Sequence, residues 1–204
     1  MSLTTYAELQ TAIGNFLNRD DLTSVAPDFI ALAEAAINRD VRDYRMIART
    51  DLTLDAVTEA LPADWVETVT LNITSGTLGE IEVASRAAIA GRRLDNQNAS
   101  GKPYLFAHVG TDIDLFPTPD GSYTAELTYY AKVPDLATNS TNWLLTAAPD
   151  VYLYGALIHS APYLHEDNRS AVWAAMYQSA ITALRAESDT AQFSGPLRLR
   201  TRNQ

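Results

Sequence analysis

Few residues in this 204-residue chain have the types and spacing for chemistry. There is no cysteine, which excludes disulfides, thiolate nucleophiles and cysteine metal sites. The three histidines are His108, His159 and His165. His159 and His165 are not spaced to sit on adjacent turns of one helix, and Pro162 falls between them. His165-Glu166-Asp167 could pair a base with carboxylates. Neighbouring loop residues point apart, however, and no nucleophile motif accompanies them. A polar turn between helices is the simpler reading. Asp112 and Asp114 share one face of an expected strand and could form a carboxylate pair. Solvent-facing strand positions explain them with less. The chain contains no H-E-x-x-H, no phosphate-binding glycine loop, no G-x-S-x-G and no G-x-G-x-x-G. The reading is therefore of a protein that is not an enzyme and has no cofactor, catalytic residue or metal ligand.

Charge and aromatic content narrow the partners. The net charge is −10. Residues 1–50 hold 7 acids and 5 bases, residues 51–146 hold 13 acids and 5 bases, and residues 147–204 hold 5 of each. The excess thus sits in the middle of the chain. Such a surface argues against a groove that grips phosphates, because that affinity rests on lysine and arginine. It serves solubility, or it forms a surface that nucleic acid passes without sticking. Ten tyrosines and three tryptophans are present, and Tyr129, Tyr130, Trp143, Tyr152, Trp173 and Tyr177 are among those crowding the C-terminal half. A base-stacking platform needs positive charge between its aromatics, and that charge is lacking. Core packing and subunit contacts fit better. No run approaches the roughly 18–20 apolar residues of a membrane span. The first ten residues lack the basic and apolar regions of a signal peptide. A soluble protein made in the cytoplasm, with no membrane partner, is expected.

The elements that must position these residues are organised around Asn142–Ser188, which reads as two helices. In the first, Val151, Tyr154, Leu157, Ile158 and Ala161 recur at steps of three and four, so they share a face. Pro149 stands near its start and Pro162 near its end. The second carries Val172, Trp173, Met176, Tyr177, Ala180, Ile181 and Leu184 on a broad stripe. Both helices need further apolar surface to cover them.

The N-terminal residues supply it. Thr5-Tyr-Ala-Glu8 has the form of a capping box, and Tyr6, Leu9, Ile13, Phe16 and Leu17 then share a face. Pro27 opens a second helix with Phe29, Ile30, Ala33, Ile37, Val41 and Tyr44 inward. Arg39, Arg42, Arg45 and Arg49 gather at its end, where cations favour the carbonyl pole. The pattern then turns β-rich. Strands are expected at Thr50–Val57, Trp65–Ile73, Pro103–Val109, Asp112–Phe116 and Tyr123–Val133, and Gly79–Leu94 reads as a strand passing into a short helix. The last three strands suggest an antiparallel meander, with Pro117–Ser122 as a turn. Pro134–Thr141 reads as a loop.

The expected fold is therefore α+β: a mainly helical bundle formed by the N- and C-terminal helices, with an inserted antiparallel β-rich subdomain. Its divisions are residues 1–49, 50–141, 142–188 and a C-terminal segment 189–204. In that segment no acid follows Asp189, and Arg198, Arg200 and Arg202 alternate with Leu197, Leu199 and Thr201. Alone it cannot bury enough to order itself, and a frayed terminus is the simpler reading. As an arm it could add to a partner by main-chain pairing, with alternate leucines as anchors.

The chain as a whole resembles the bacteriophage head-to-tail adaptor family, also called connector or tail tubular ring proteins. The likeness rests on TYAELQTAIGNFLNR, PDFIALAEAAINRDVRDYRM, the LPADW turn, LTYYAKVPDL, NWLLTAAPDVYLYGAL and the Trp173/Tyr177/Leu184 helix, in that order. It spans Thr4 to Gly195. The resemblance implies a structural virion protein of the neck. Such a protein forms a ring, usually of twelve copies, beneath the portal protein and carries the tail nozzle or other tail proteins. DNA passes through the ring without specific binding. The resemblance places a C-terminal arm against the portal or a neighbour, which maps here to Phe193, Leu197, Arg198, Leu199, Arg200 and Arg202. Asp112 and Asp114 are the candidate channel-facing acids. A tail-associated hydrolase, or another neck or tail completion protein, is the competing reading.

Overall fold

A computed structural model of the chain describes residues 3–19, 21–96, 99–164 and 169–192. The order is α1 (Tyr6–Leu17), α2 (Ala26–Asp40), a 3-10 turn at Tyr44–Met46, β1 (Ile47–Leu54), β2 (Thr58–Ala60), β3 (Trp65–Ile73), β4 (Gly79–Glu80) and β5 (Glu82–Val83). Then come α3 (Arg86–Asp95), β6 (Leu105–Val109), β7 (Asp112–Phe116), β8 (Tyr123–Ala131), α4 (Leu136–Asn139), α5 (Trp143–Ala147), α6 (Pro149–Ser160) and α7 (Ser170–Gln192). The protein is α+β. It divides into two compact units. One comprises the chain up to Arg45 together with the chain from Val133 onward; the other is Met46–Lys132.

In the helical unit, local chemistry sets the first helix. The Thr5 hydroxyl accepts from the Glu8 N–H (3.3 Å), and the Glu8 carboxylate accepts from the Thr5 N–H (3.1 Å), so two orphan donors are satisfied reciprocally. Leu9, Ala12, Ile13 and Leu17 are buried, while Phe16 is exposed. Helix α2 buries Phe29, Ile30, Ala33 and Ile37 as its spacing requires. The Arg42 guanidinium donates to the carbonyls of Asn38 (3.0 Å) and Val41 (2.7 Å), so this cation serves the helix end. Arg45 bridges Asp43 (2.9 Å) and Glu187 (2.7 Å) and lies over the rings of Tyr44 and Trp143. Residues before the β-rich segment are thereby tied to residues after it.

Among the described residues, the stretch 142–188 holds three helices rather than two. The Asn142 side chain caps α5 through the Leu145 N–H (2.8 Å), and the chain breaks at Ala148 before Pro149 opens α6. Helix α6 is also not amphipathic. Val151, Tyr152, Leu153, Gly155, Ala156, Leu157 and Ser160 are buried around most of its circumference, whereas Tyr154, Ile158 and Ala161 are only half-buried. A helix apolar all round belongs inside. It can lie there because Gly155 lets its neighbours approach: an added Cβ would meet the Ala33 Cβ at 3.2 Å and the Tyr177 ring at 3.4 Å. On α7, Trp173, Tyr177, Ala180, Ile181 and Leu184 are buried, but Val172 and Met176 are exposed, so the real stripe is narrower than its spacing suggested. Pro134–Thr141 includes the short α4, capped by Asp135, and is held to α2 by the Val133 N–H on Asn38 (2.9 Å) and the Leu136 N–H on Glu34 (2.8 Å).

The β unit has two four-stranded sheets, ordered β1-β8-β3-β4 and β2-β7-β6-β5. The expected meander is not formed. β6 and β7 make an antiparallel hairpin, but β8 leaves them and becomes a central strand of the other sheet, antiparallel to both β1 and β3. Pro117 and Pro119 lack the N–H groups that would continue a ladder beyond β7. β8 buries Ala125, Leu127 and Tyr129 on one face, and these meet Ile113 and Leu115 of β7 and Leu71 and Ile73 of β3 in one core. The opposite face of the second sheet is covered by α3, through Ile89 against Leu105, Ala107 and Phe116.

Candidate assembly sites

Among the described residues, no group of three or more histidine and carboxylate side chains could hold a metal ion. His108 stacks on Trp65, with ring centroids 4.8 Å apart, and meets Phe106 edge-on. Its partial burial lowers its pKa below the usual imidazole value. His159 belongs to α6, in the other unit, where burial and then the nearby Arg39 lower its pKa. His165 lies outside the described residues.

Asp114 is not the solvent-facing acid that the strand alternation suggested. It is 2% exposed. Its face of β7 is the one α3 covers. The Arg93 guanidinium donates to both carboxylate oxygens, at 2.5 and 3.1 Å, and to the Leu115 carbonyl at 2.8 Å. The more exposed Arg86 lies 3.2 Å away. A carboxylate taken out of water is retained only when paired this fully. Asp114 therefore pins a helix to a sheet. Its partners were visible in the sequence. Arg86, Ile89 and Arg93 fall at steps of three and four, so they share the face of α3 that meets the sheet. Asp112 remains half-buried and accepts from the Thr111 hydroxyl at 3.2 Å.

Register reveals an acid pair that sequence spacing hides. Asp51 of β1 lies directly opposite Glu126 of β8, on the face opposite Ala125 and Leu127. Like charges facing one another across strands cost stability, and Arg49 is the cation two positions along the same face of β1. Asp55, Asp64, Glu67, Glu80, Glu82, Asp95 and Asp120 are likewise exposed on this unit. No single element carries this surface. The two facing acids are 75 positions apart in the chain, so only strand pairing could find them.

The candidate arm residues Phe193, Leu197, Arg198, Leu199, Arg200 and Arg202 lie outside the described residues. Among the described residues, no helix is long and apolar enough to cross a membrane. Residues 4–200 match the family described as SU10 adaptor protein. No curated protein matches the chain.

Proposed function

Because the chain belongs to the SU10 adaptor protein family, a phage head-to-tail adaptor family, we propose that it forms a ring beneath the portal, joins it to the tail and lets DNA pass. The observation that carries this reading is the continuous match over residues 4–200, which spans both compact units. The helical unit, built from both ends of the chain, serves as the bundle, and the β-rich part is the insertion presented to neighbouring copies. Subunit number follows the resemblance, which favours twelve. The acidic surface supports passage without adhesion, since polyanions bind where basic groups neutralise their phosphates.

Electron microscopy of the purified protein mixed with portal tests the reading. A ring seated on the portal is expected; a protein that never associates with portal or tail components would overturn it. The arm gives a second test. Deleting Phe193–Gln204 removes no residue of α1 to α7. The truncated protein is expected to keep its circular dichroism and unfolding midpoint but to fail to join particles. Normal incorporation would show that the assembly contact lies elsewhere.

The repulsive surface is tested at Asp51 and Asp112. Asp51→Lys replaces a like-charged facing pair by an opposite one, for a gain of roughly 0.5–1 kcal/mol in stability. Particles carrying it, or carrying Asp112→Lys, are expected to release DNA more slowly. Unchanged release from both variants would remove these acids from the channel.

A further inference from the structure

Strand Gly79–Val83 serves two sheets in turn. Its first half, β4, pairs with β3 at Asn72 and Ile73, and its second half, β5, pairs with β6 at Leu105 and Phe106. The two sheets separate at this crossing, leaving a groove of about 280 Å³. One wall is Thr68, Val69 and Thr70 of β3; the other is Ile81, Glu82 and Val83; Phe106 and His108 also line it. Both walls are strand edges. β4 reaches β3 only at Asn72 and Ile73, so among the described residues no strand lies beside the Trp65–Thr70 edge facing away from β8. β5 is the outer strand of its sheet. Its valine, Val83, is 68% exposed, and Val69 across the groove is 45% exposed. The register of β3 against β8 shifts at Val69, and a bulge of this kind re-aims the side chain it carries.

Two strand edges with apolar residues between them are a template for an added strand. The strand that fits must be apolar on one face, toward Val69, Val83 and Phe106, and cationic on the other, where Glu80 and Glu82 are exposed. Residues 193–204 have that alternation: Leu197 and Leu199 interleaved with Arg198, Arg200 and Arg202, and no acid. We propose that this groove receives the C-terminal segment 193–204 of a second copy of the chain as an additional strand. The inference rests on the ring reading above. Each copy then gives a strand to the next, a head-to-tail contact of the kind that closes rings.

The full chain has no cysteine, so introduced thiols are unique. Val83→Cys and Leu199→Cys are placed in separate full-length chains, mixed and oxidised, with and without portal. A disulfide-linked dimer at about tenfold the yield of a Val172→Cys/Leu199→Cys control is expected. Val69→Cys, at a second exposed wall position, repeats the test should Val83→Cys misfold. Combining Glu80→Lys with Glu82→Lys is expected to lower the yield about tenfold, and Arg198→Glu with Arg200→Glu to restore it. No excess link under either condition, or linkage only within one chain carrying both thiols, overturns the proposal. Rings on portal without this link would sink the groove and leave the adaptor reading standing. The link without rings would do the reverse.

Discussion

Replacing Asp114 by alanine is expected to lower the stability of the β unit by about 3–5 kcal/mol, the usual cost of removing one partner of a buried ion pair. The carboxylate is 2% exposed, and Arg93 gives it two hydrogen bonds. Arg93 itself is only 20% exposed, so the variant leaves a poorly hydrated cation beside β7. Arg86 is largely in water and adds little. Converting Arg93 to methionine in the same chain is expected to recover part of the loss, because the orphaned charge goes with it. Asp112→Asn, two residues away on a half-buried position, is expected to stay within about 0.5 kcal/mol of the parent. Urea unfolding followed through Trp65 measures all three, as Trp65 is the tryptophan of this unit. An Asp114→Ala midpoint equal to the parent's would show that α3 does not depend on the pair. Slow DNA release by an Asp114 charge reversal would therefore report damage to the fold, and Asp51 and Asp112 are the cleaner probes.

Tyr152→Ala is expected to cost the helical unit about 3–5 kcal/mol, as large aromatic truncations in cores do. Tyr152 is 1% exposed and stands among the largest fully buried side chains. Its hydroxyl accepts from the Asn142 amide at 2.7 Å, and burial raises its pKa well above the usual phenol range. That amide also donates to the Pro134 carbonyl, while its oxygen caps α5. Tyr152→Phe keeps the packing and strands one donor of Asn142, for about 1–2 kcal/mol. The difference between the two variants separates volume from hydrogen bonding. Thermal unfolding read at Trp143 and Trp173, both in this unit, is expected to fall by about 10 °C for the alanine variant. Equal small shifts for both variants would mean that the ring is not packed as described.

The outcome at particular residues shows which signals were legible. The Thr5/Glu8 capping box forms as read because its partners are three residues apart. β3 and β7 have the bounds that the sequence reading expected, Trp65–Ile73 and Asp112–Phe116. The strand-then-helix reading of Gly79–Leu94 also holds, with Ser85 capping α3 through the Ala88 N–H (3.1 Å). The meander failed because alternation tells which face of a strand is apolar, not which strand lies beside it. The amphipathic reading of α6 failed because a helix apolar all round also contains residues at steps of three and four.

By itself, the sequence determined the longer helices and strands, their order, the α+β class and the likeness that placed the chain among phage adaptors. Each of these rests on neighbours along the chain, or on the order of segments. Tertiary structure alone decided that β8 joins β1 and β3, that α3 covers Asp114, that Asp51 faces Glu126 and that two sheet edges diverge around Val69 and Val83. The physical reason is common to all four. Burial and charge pairing act through space, and groups brought together by folding leave no fixed spacing in the chain.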